Sequence, residues 1–216
     1  MTKARILFIL LIFILTACGT DPGATPDPDT PPSNPETPDI AGTVSDWTLG
    51  ETSVAALIYG QDTQAEVATG QVSESGQLSV TLEDEVGDAF LSSFPACDTL
   101  TLSDAAAQQN TFSALDVSRG DTDLGRLALA SSQEVLTEGL TEVDDFYVQW
   151  TYSDRALEIQ GSCLVGGTPT AFRYNLTLIA GWNPVTFRLI SKEAGGQILE
   201  LSNGIPDNAT WIFAGS

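Results

Sequence analysis

FYVQWTYSDRALEIQGSC occupies Phe146–Cys163. Its first half alternates. In an extended chain Phe146, Val148 and Trp150 share one face, and Tyr147, Gln149 and Thr151 share the other. That pattern marks a half-buried antiparallel strand. Tyr152-Ser153-Asp154-Arg155 supplies turn residues, after which strand-forming residues resume, so the stretch predicts a hairpin. RYNLTLIAGWNPVTFRLIS, Arg173–Ser191, predicts another, with Ala180-Gly181-Trp182-Asn183 at its turn.

Similar runs recur on both sides: SVAALIYG, QLSVTL, DTLTLS, GRLALASS, ILELS and TWIFAG. Each has strand length and is bounded by Gly, Asn, Asp, Ser or Pro. Helical periodicity is scarce. Ser103–Asn110, with Ser103 as a candidate N-cap, and Ser131–Leu140 are the two helical candidates. The expected fold is all-β: an antiparallel β-sandwich with minor short helices, built over residues 41–216. It is either one domain or two tightly docked β-subdomains, with a possible subdivision near 131–144.

The N-terminus is of another kind. Ile6–Ala17 is an unbroken apolar run behind Lys3 and Arg5. As a helix it would cover only about 18 Å, too short for a bilayer core of ~30 Å. It has the form of a signal peptide, residues 1–17. Leu15-Thr16-Ala17-Cys18 follows, and it resembles the lipobox of bacterial lipoproteins. The resemblance implies cleavage before Cys18 and lipid on its sulfur. It also implies a membrane-surface location in the cell envelope, with Gly19 favouring the outer membrane or cell surface. Residues 18–40 then form a tether. Seven of the chain's 11 prolines lie in GTDPGATPDPDTPPSNPETPDI, between acidic and small polar residues. Such a segment has nothing with which to build a core, and it favours extended geometry.

The opening of the folded part, AGTVSDW…TSVAALIYG…ATGQVSESGQLSVTL, resembles envelope β-domains of the transthyretin-like or carboxypeptidase-regulatory-like type. With the later AGWN it is also similar to lipoproteins of Deinococcus-type bacteria. These likenesses imply an architecture and a location, and no activity.

Once Cys18 is lipidated, Cys97 and Cys163 remain in an oxidising compartment, where the expected arrangement is a disulfide. Two separate buried thiols are the alternative. The bond would close a loop of about 67 residues and tie the two halves together.

The chain has no histidine. Ser-His-Asp and Cys-His nucleophile systems and imidazole metal sites are therefore absent. No phosphate-binding or dinucleotide-binding glycine motif occurs. Nothing asks for a cofactor. Paired carboxylates are the remaining catalytic chemistry. Asp144-Asp145 and Glu83-Asp84-Glu85 are the densest acidic groups, and both flank strands in the manner of turns.

From Cys18 onward six basic residues face 29 acidic ones, a formal charge of −23. Such a surface repels nucleic acid and anionic headgroups. RGDTDLG, Arg119–Gly125, places Asp121 and Asp123 at alternate positions, a weak calcium candidate that lacks a closing bidentate Glu. Of the four tryptophans, Trp47, Trp150 and Trp211 fall within strand patterns and are expected in the core. Trp182 follows Gly181 at a turn and is expected to be partly exposed, a candidate contact residue whose loss leaves stability nearly unchanged.

The sequence thus points to a non-catalytic envelope lipoprotein. Its role would be structural or binding, with the membrane and other envelope proteins or polymers as partners. A carboxylate-dependent hydrolase of surface polysaccharide and a Ca2+-binding envelope module are the alternatives.

Overall fold

The structure is a computed structural model that describes residues 39–60, 63–95, 97, 99–164, 170–193 and 195–216. The signal segment, Cys18 and the proline-rich stretch up to Pro38 lie outside the described residues. Among the described residues no helix is long and apolar enough to cross a membrane.

The protein is all-β. Its strands are β1 (Ile40–Thr43), β2 (Thr52–Tyr59), β3 (Gln64–Val72), β4 (Gln77–Leu82), β5 (Ser92–Ser93) and β6 (Leu100–Leu102). They continue with β7 (Gln108–Phe112), β8 (Leu115–Arg119), β9 (Thr122–Ala130), β10 (Phe146–Ser153) and β11 (Leu157–Leu164). The last four are β12 (Thr170–Leu178), β13 (Gly181–Glu193), β14 (Gly196–Asn203) and β15 (Thr210–Gly215). Each run singled out in the sequence is a strand. Helix α1 (Gln133–Glu138) falls within the expected Ser131–Leu140.

Ser103–Asn110 is not a helix. Asp104 accepts the Ala106 N–H on its side chain (2.8 Å) and the Ala107 N–H on its carbonyl (3.3 Å), which makes a turn. Gln108–Asn110 then enters β7, beside β5 and β10. The short Asp side chain outcompetes the helix by bonding to the local backbone.

Neither predicted hairpin forms as such. β10 pairs with β13, β7 and β9 and not with β11, whose partners are β12 and β6. The turn after β10 is a corner between layers. Arg155 clamps it by reaching Asp154 (2.8 Å) and Asp104 (3.2 Å). β12 and β13 are likewise unpaired, because β14 inserts between them, antiparallel to β13 and parallel to β12. The sandwich is therefore not purely antiparallel. The hairpins that do form are β2–β3, β3–β4, β8–β9, β11–β12 and β13–β14.

The strand order is β1-β4-β3-β2-β8-β9-β10-β13-β14-β12-β11-β6, with β15 also on β9. The N-terminal strands curl until Val44, just past the end of β1, meets Trp211 of β15 in an isolated parallel bridge. Val54, Ile58, Val72, Val80, Leu115, Val117 and Leu127 fill this first core, together with Phe146, Val148, Trp150 and Tyr152 of β10. The other face of β10 and β13 carries Tyr147, Val185 and Phe187. It looks onto a second, smaller core with Leu157, Ile159, Leu176, Leu178 and Leu201. β10 is thus covered on both faces, not half-buried as its alternation suggested. Residues on each side of 131–144 contribute to the first core, and Thr37–Ser216 forms one compact unit.

Cys97 and Cys163 are joined, with their Cα atoms 5.6 Å apart. The bond ties the lead-in of β6 to the end of β11. Close by, Gly161 adopts a φ of +122°, where a Cβ would run into the Thr99 carbonyl. Only glycine lets the two backbones pass so closely.

Candidate functional site

A cleft opens beside β1 and β15, next to the bridge between Val44 and Trp211. Its volume is about 820 Å³, within the ~300–1,000 Å³ range of pockets that hold small ligands. Its floor is made by Leu129, Trp150 and Trp211. One wall is Asp39–Thr43 with Leu82, Glu83 and Asp84 at the end of β4. The other is the corner Ile179–Trp182, and Ile205 and Thr210 complete the rim.

Local chemistry explains why these groups meet. Trp150 lies on the apolar face of β10 and stacks on Trp211 (5.5 Å, 16°) and on Phe112 (5.6 Å, 7°). Trp211 sits under β1 because residue 42 is glycine. A Cβ there would come within 2.6 Å of Cδ1 and 2.8 Å of Nε1 of the indole. The AGWN corner is held by Asn183, which is buried. Its Oδ1 accepts the Ile179 N–H (2.9 Å), and its Nδ2 donates to the carbonyls of Ile179 (2.9 Å) and Gly181 (2.8 Å). This single side chain replaces the ladder bonds a hairpin would have supplied, and it fixes the entry of Trp182 into β13.

Trp182 is half-buried, as the sequence suggested, but it is not a free turn residue. Its ring meets Phe112 (5.2 Å) and Tyr152 (5.3 Å) edge to face, and its Nε1–H donates to the Glu83 carbonyl (2.9 Å). Trp47 departs from expectation. It lies in the loop after β1, half-buried against Phe213, and donates to the Gly50 carbonyl (2.7 Å). Trp150 and Trp211 are core residues, each 4% exposed.

The ring nitrogens of the cleft differ. Those of Trp150 and Trp211 have no hydrogen-bond partner among the described residues, yet neither is sealed from solvent. Asp39, Glu83 and Asp84 stand exposed on the rim, and no Lys or Arg lines the cleft. Asp39 Oδ2 accepts the Leu82 N–H (2.8 Å), which pins the first residue of the wall. Ile179 and Ile205 are apolar lips, 65% and 50% exposed.

The other sequence candidates lie elsewhere. Asp121 is at the tip of the β8–β9 hairpin. Asp123 uses one oxygen to accept the Gly125 N–H (3.0 Å). Arg119 points away from both, toward the carbonyls of Leu49 and Glu51. Among the described residues no group of three or more acidic or cysteine side chains is placed to hold a metal ion. Asp145 caps a turn by accepting the N–H groups of Thr141 (3.0 Å) and Glu142 (2.7 Å).

The fold and the cleft define the class: an all-β sandwich with an aromatic-floored, acid-rimmed cleft at the seam of its curled sheet. Comparison with family models, curated proteins and solved structures gives no match for the chain. The geometry of the cleft therefore carries the functional argument.

Sequence reasoning singled out Trp182 but missed its neighbours. Trp150 and Trp211 read as plain core residues, and the cleft assembles segments from six parts of the chain. Only Gly42, within the Gly-Thr-Val opening, hinted at a close approach.

Proposed function

We propose that this protein is a lipid-anchored protein of the bacterial cell envelope, most simply at the outer membrane or cell surface. Its β-sandwich binds a partner through the tryptophan-floored cleft and performs no catalysis. One observation carries the reading: a cleft of about 820 Å³ lined by Trp150, Trp182 and Trp211 together with Leu129, Ile179 and Ile205 has the size and the largely apolar lining of a binding site. The acidic exterior fits a domain that stays soluble beside a membrane. A proline-rich tether from Cys18 would give it reach beyond the membrane surface.

The anchor is tested by Cys18→Ser in the native host, with radiolabelled palmitate. Loss of label and release from the membrane fraction are expected. Unchanged membrane association would contradict the lipoprotein reading.

A second reading rests on the rim. Asp39, Glu83 and Asp84 stand beside aromatic rings, the setting in which two carboxylates hydrolyse glycosidic bonds. Turnover of a polysaccharide, abolished by Glu83→Gln or Asp84→Asn, would replace the non-catalytic reading with this one.

A further inference from the structure

We infer that the cleft takes an extended, basic segment of another protein, added as a strand to the free edge of β1; this deepens the reading of the cleft as the binding surface and rests on it. On one side β1 pairs with β4. Its other side is a wall of the cleft, which Asp39–Thr43 line. Bonds at the end of the strand show which way its backbone faces. The Val44 N–H donates to the Gly76 carbonyl (2.9 Å), on the β4 side. The Ser45 N–H donates to the Trp211 carbonyl (2.9 Å), on the β15 side. Successive residues of an antiparallel ladder alternate in this way. Ile40 and Gly42 therefore bond to β4, opposite Val80 and Leu78, and Ala41 turns its N–H and C=O into the cleft. Among the described residues β15 offers them no partner. Its bridge is to Val44, and the Ala209 N–H just ahead of it donates to the Pro206 carbonyl (3.0 Å). An exposed strand edge is where an extended peptide gains main-chain hydrogen bonds.

Charge selects the occupant. Asp39, Glu83 and Asp84 line the cleft and no Lys or Arg does. The segment of this chain ahead of Asp39 is a poor occupant, because it is acidic and many of its residues are prolines, which lack the N–H. A second copy of so acidic a chain is repelled by the same rim. A basic segment is attracted to it. In an extended segment alternate side chains face opposite ways. Apolar ones would rest on Leu129, Trp150 and Trp211 and between the exposed lips Ile179 and Ile205, while Lys or Arg reached the carboxylates.

The test uses the full lipidated protein in nanodiscs of zwitterionic lipid. Probes are octapeptides of alternating lysine and valine, glutamate and valine, and threonine and valine. The lysine peptide is also made with alternate backbone nitrogens methylated, in both phases, and neutral hexaoses of glucose and N-acetylglucosamine complete the set. Calorimetry reads affinity, and amide hydrogen exchange reads Ala41. The lysine peptide is expected to bind, to weaken as salt rises and to slow exchange at Ala41. One methylated phase should lose about tenfold or more, the equivalent of a lost hydrogen bond. Ala41→Pro removes an N–H that faces the cleft and no bond to β4, so it should weaken the peptide about tenfold with the melting temperature held. If that variant unfolds, Glu83→Gln/Asp84→Asn decides, since it should remove most of the salt dependence. Equal binding of the glutamate or threonine peptide, or no loss in either methylated phase, overturns the inference. So does binding of a hexaose that shifts the Trp150 or Trp211 ring signal while the lysine peptide fails, and that result keeps the cleft as the binding surface. Binding of no probe overturns both.

Discussion

The two cores flanking β10 and β13 are stabilised by different means. The first is enclosed by a curled sheet that nearly closes on itself, and it is filled with β-branched and aromatic side chains. The second is smaller, borders more polar strands and carries the disulfide. Apolar burial suffices where strands surround a core. Where fewer apolar residues are available, a covalent tie adds what burial does not. The difference also locates function. The curled sheet leaves a seam between β1 and β15, and the cleft opens there.

The largest expected effect probes the first core. Phe146 is fully buried and lies under the Arg188 guanidinium (5.0 Å). Phe146→Ala should cost about 3–5 kcal/mol in denaturant unfolding, as buried aromatics do when truncated. A loss under ~1 kcal/mol would show that the core relaxes, and the contrast with the second core would weaken.

The disulfide comes next. Replacing Cys97 and Cys163 together by Ala should cost roughly 4 kcal/mol, the chain-entropy value for a loop of this length. Hydrogen exchange should accelerate first in β6, β11 and β12, while β2, β3 and β8 stay protected. Uniform acceleration would mean that the two halves unfold as one unit and that the division of labour is false.

Trp182→Ala should cost about 2 kcal/mol, less than for a fully buried aromatic. It loses two ring contacts and the bond to Glu83 across the seam. The sequence expectation of nearly unchanged stability does not fit these contacts. An unaltered melting temperature would restore it.

The smallest effect belongs to the β10–β11 corner. The Ala106 N–H and then Arg155 hold the Asp104 carboxyl below its usual range, and Arg155 does the same for Asp154. Depressed carboxylates add stability above their unfolded value and lose it as pH falls through the folded one. The contribution is therefore complete above about pH 4 and fades below it. The stability gap between wild type and Arg155→Ala should narrow over that acidic window. The gap should be small, because the pair is solvent-screened. A gap independent of pH would assign it to packing.

These contrasts show what the sequence could reveal. Alternation and β-branched residues identified the strands, since those properties are local. Partners were not legible. Phe146–Cys163 contains turn residues at a plausible hairpin position, yet β10 pairs elsewhere and its Tyr147, Gln149 and Thr151 face is covered by the second core, which its alternation does not announce. Arg173–Ser191 looks like a hairpin until the side chain of Asn183 is seen satisfying the corner, which frees β14 to insert. Two cysteines separated by 66 residues were enough to suggest their bond. The cleft was not, because Trp150, Trp211, Gly42 and Glu83 converge only through tertiary closure.

The central claim is that the tryptophan-floored cleft is the binding surface. It is tested most directly by nitrogen–proton correlation spectra of the four tryptophan ring N–H groups during titration with neutral oligosaccharides and with a basic peptide. The signals of Trp150 and Trp211 should shift in a saturable manner. That of Trp47, engaged with the Gly50 carbonyl outside the cleft, should stay in place. Four unmoved signals, or a shift at Trp47 alone, would contradict the account.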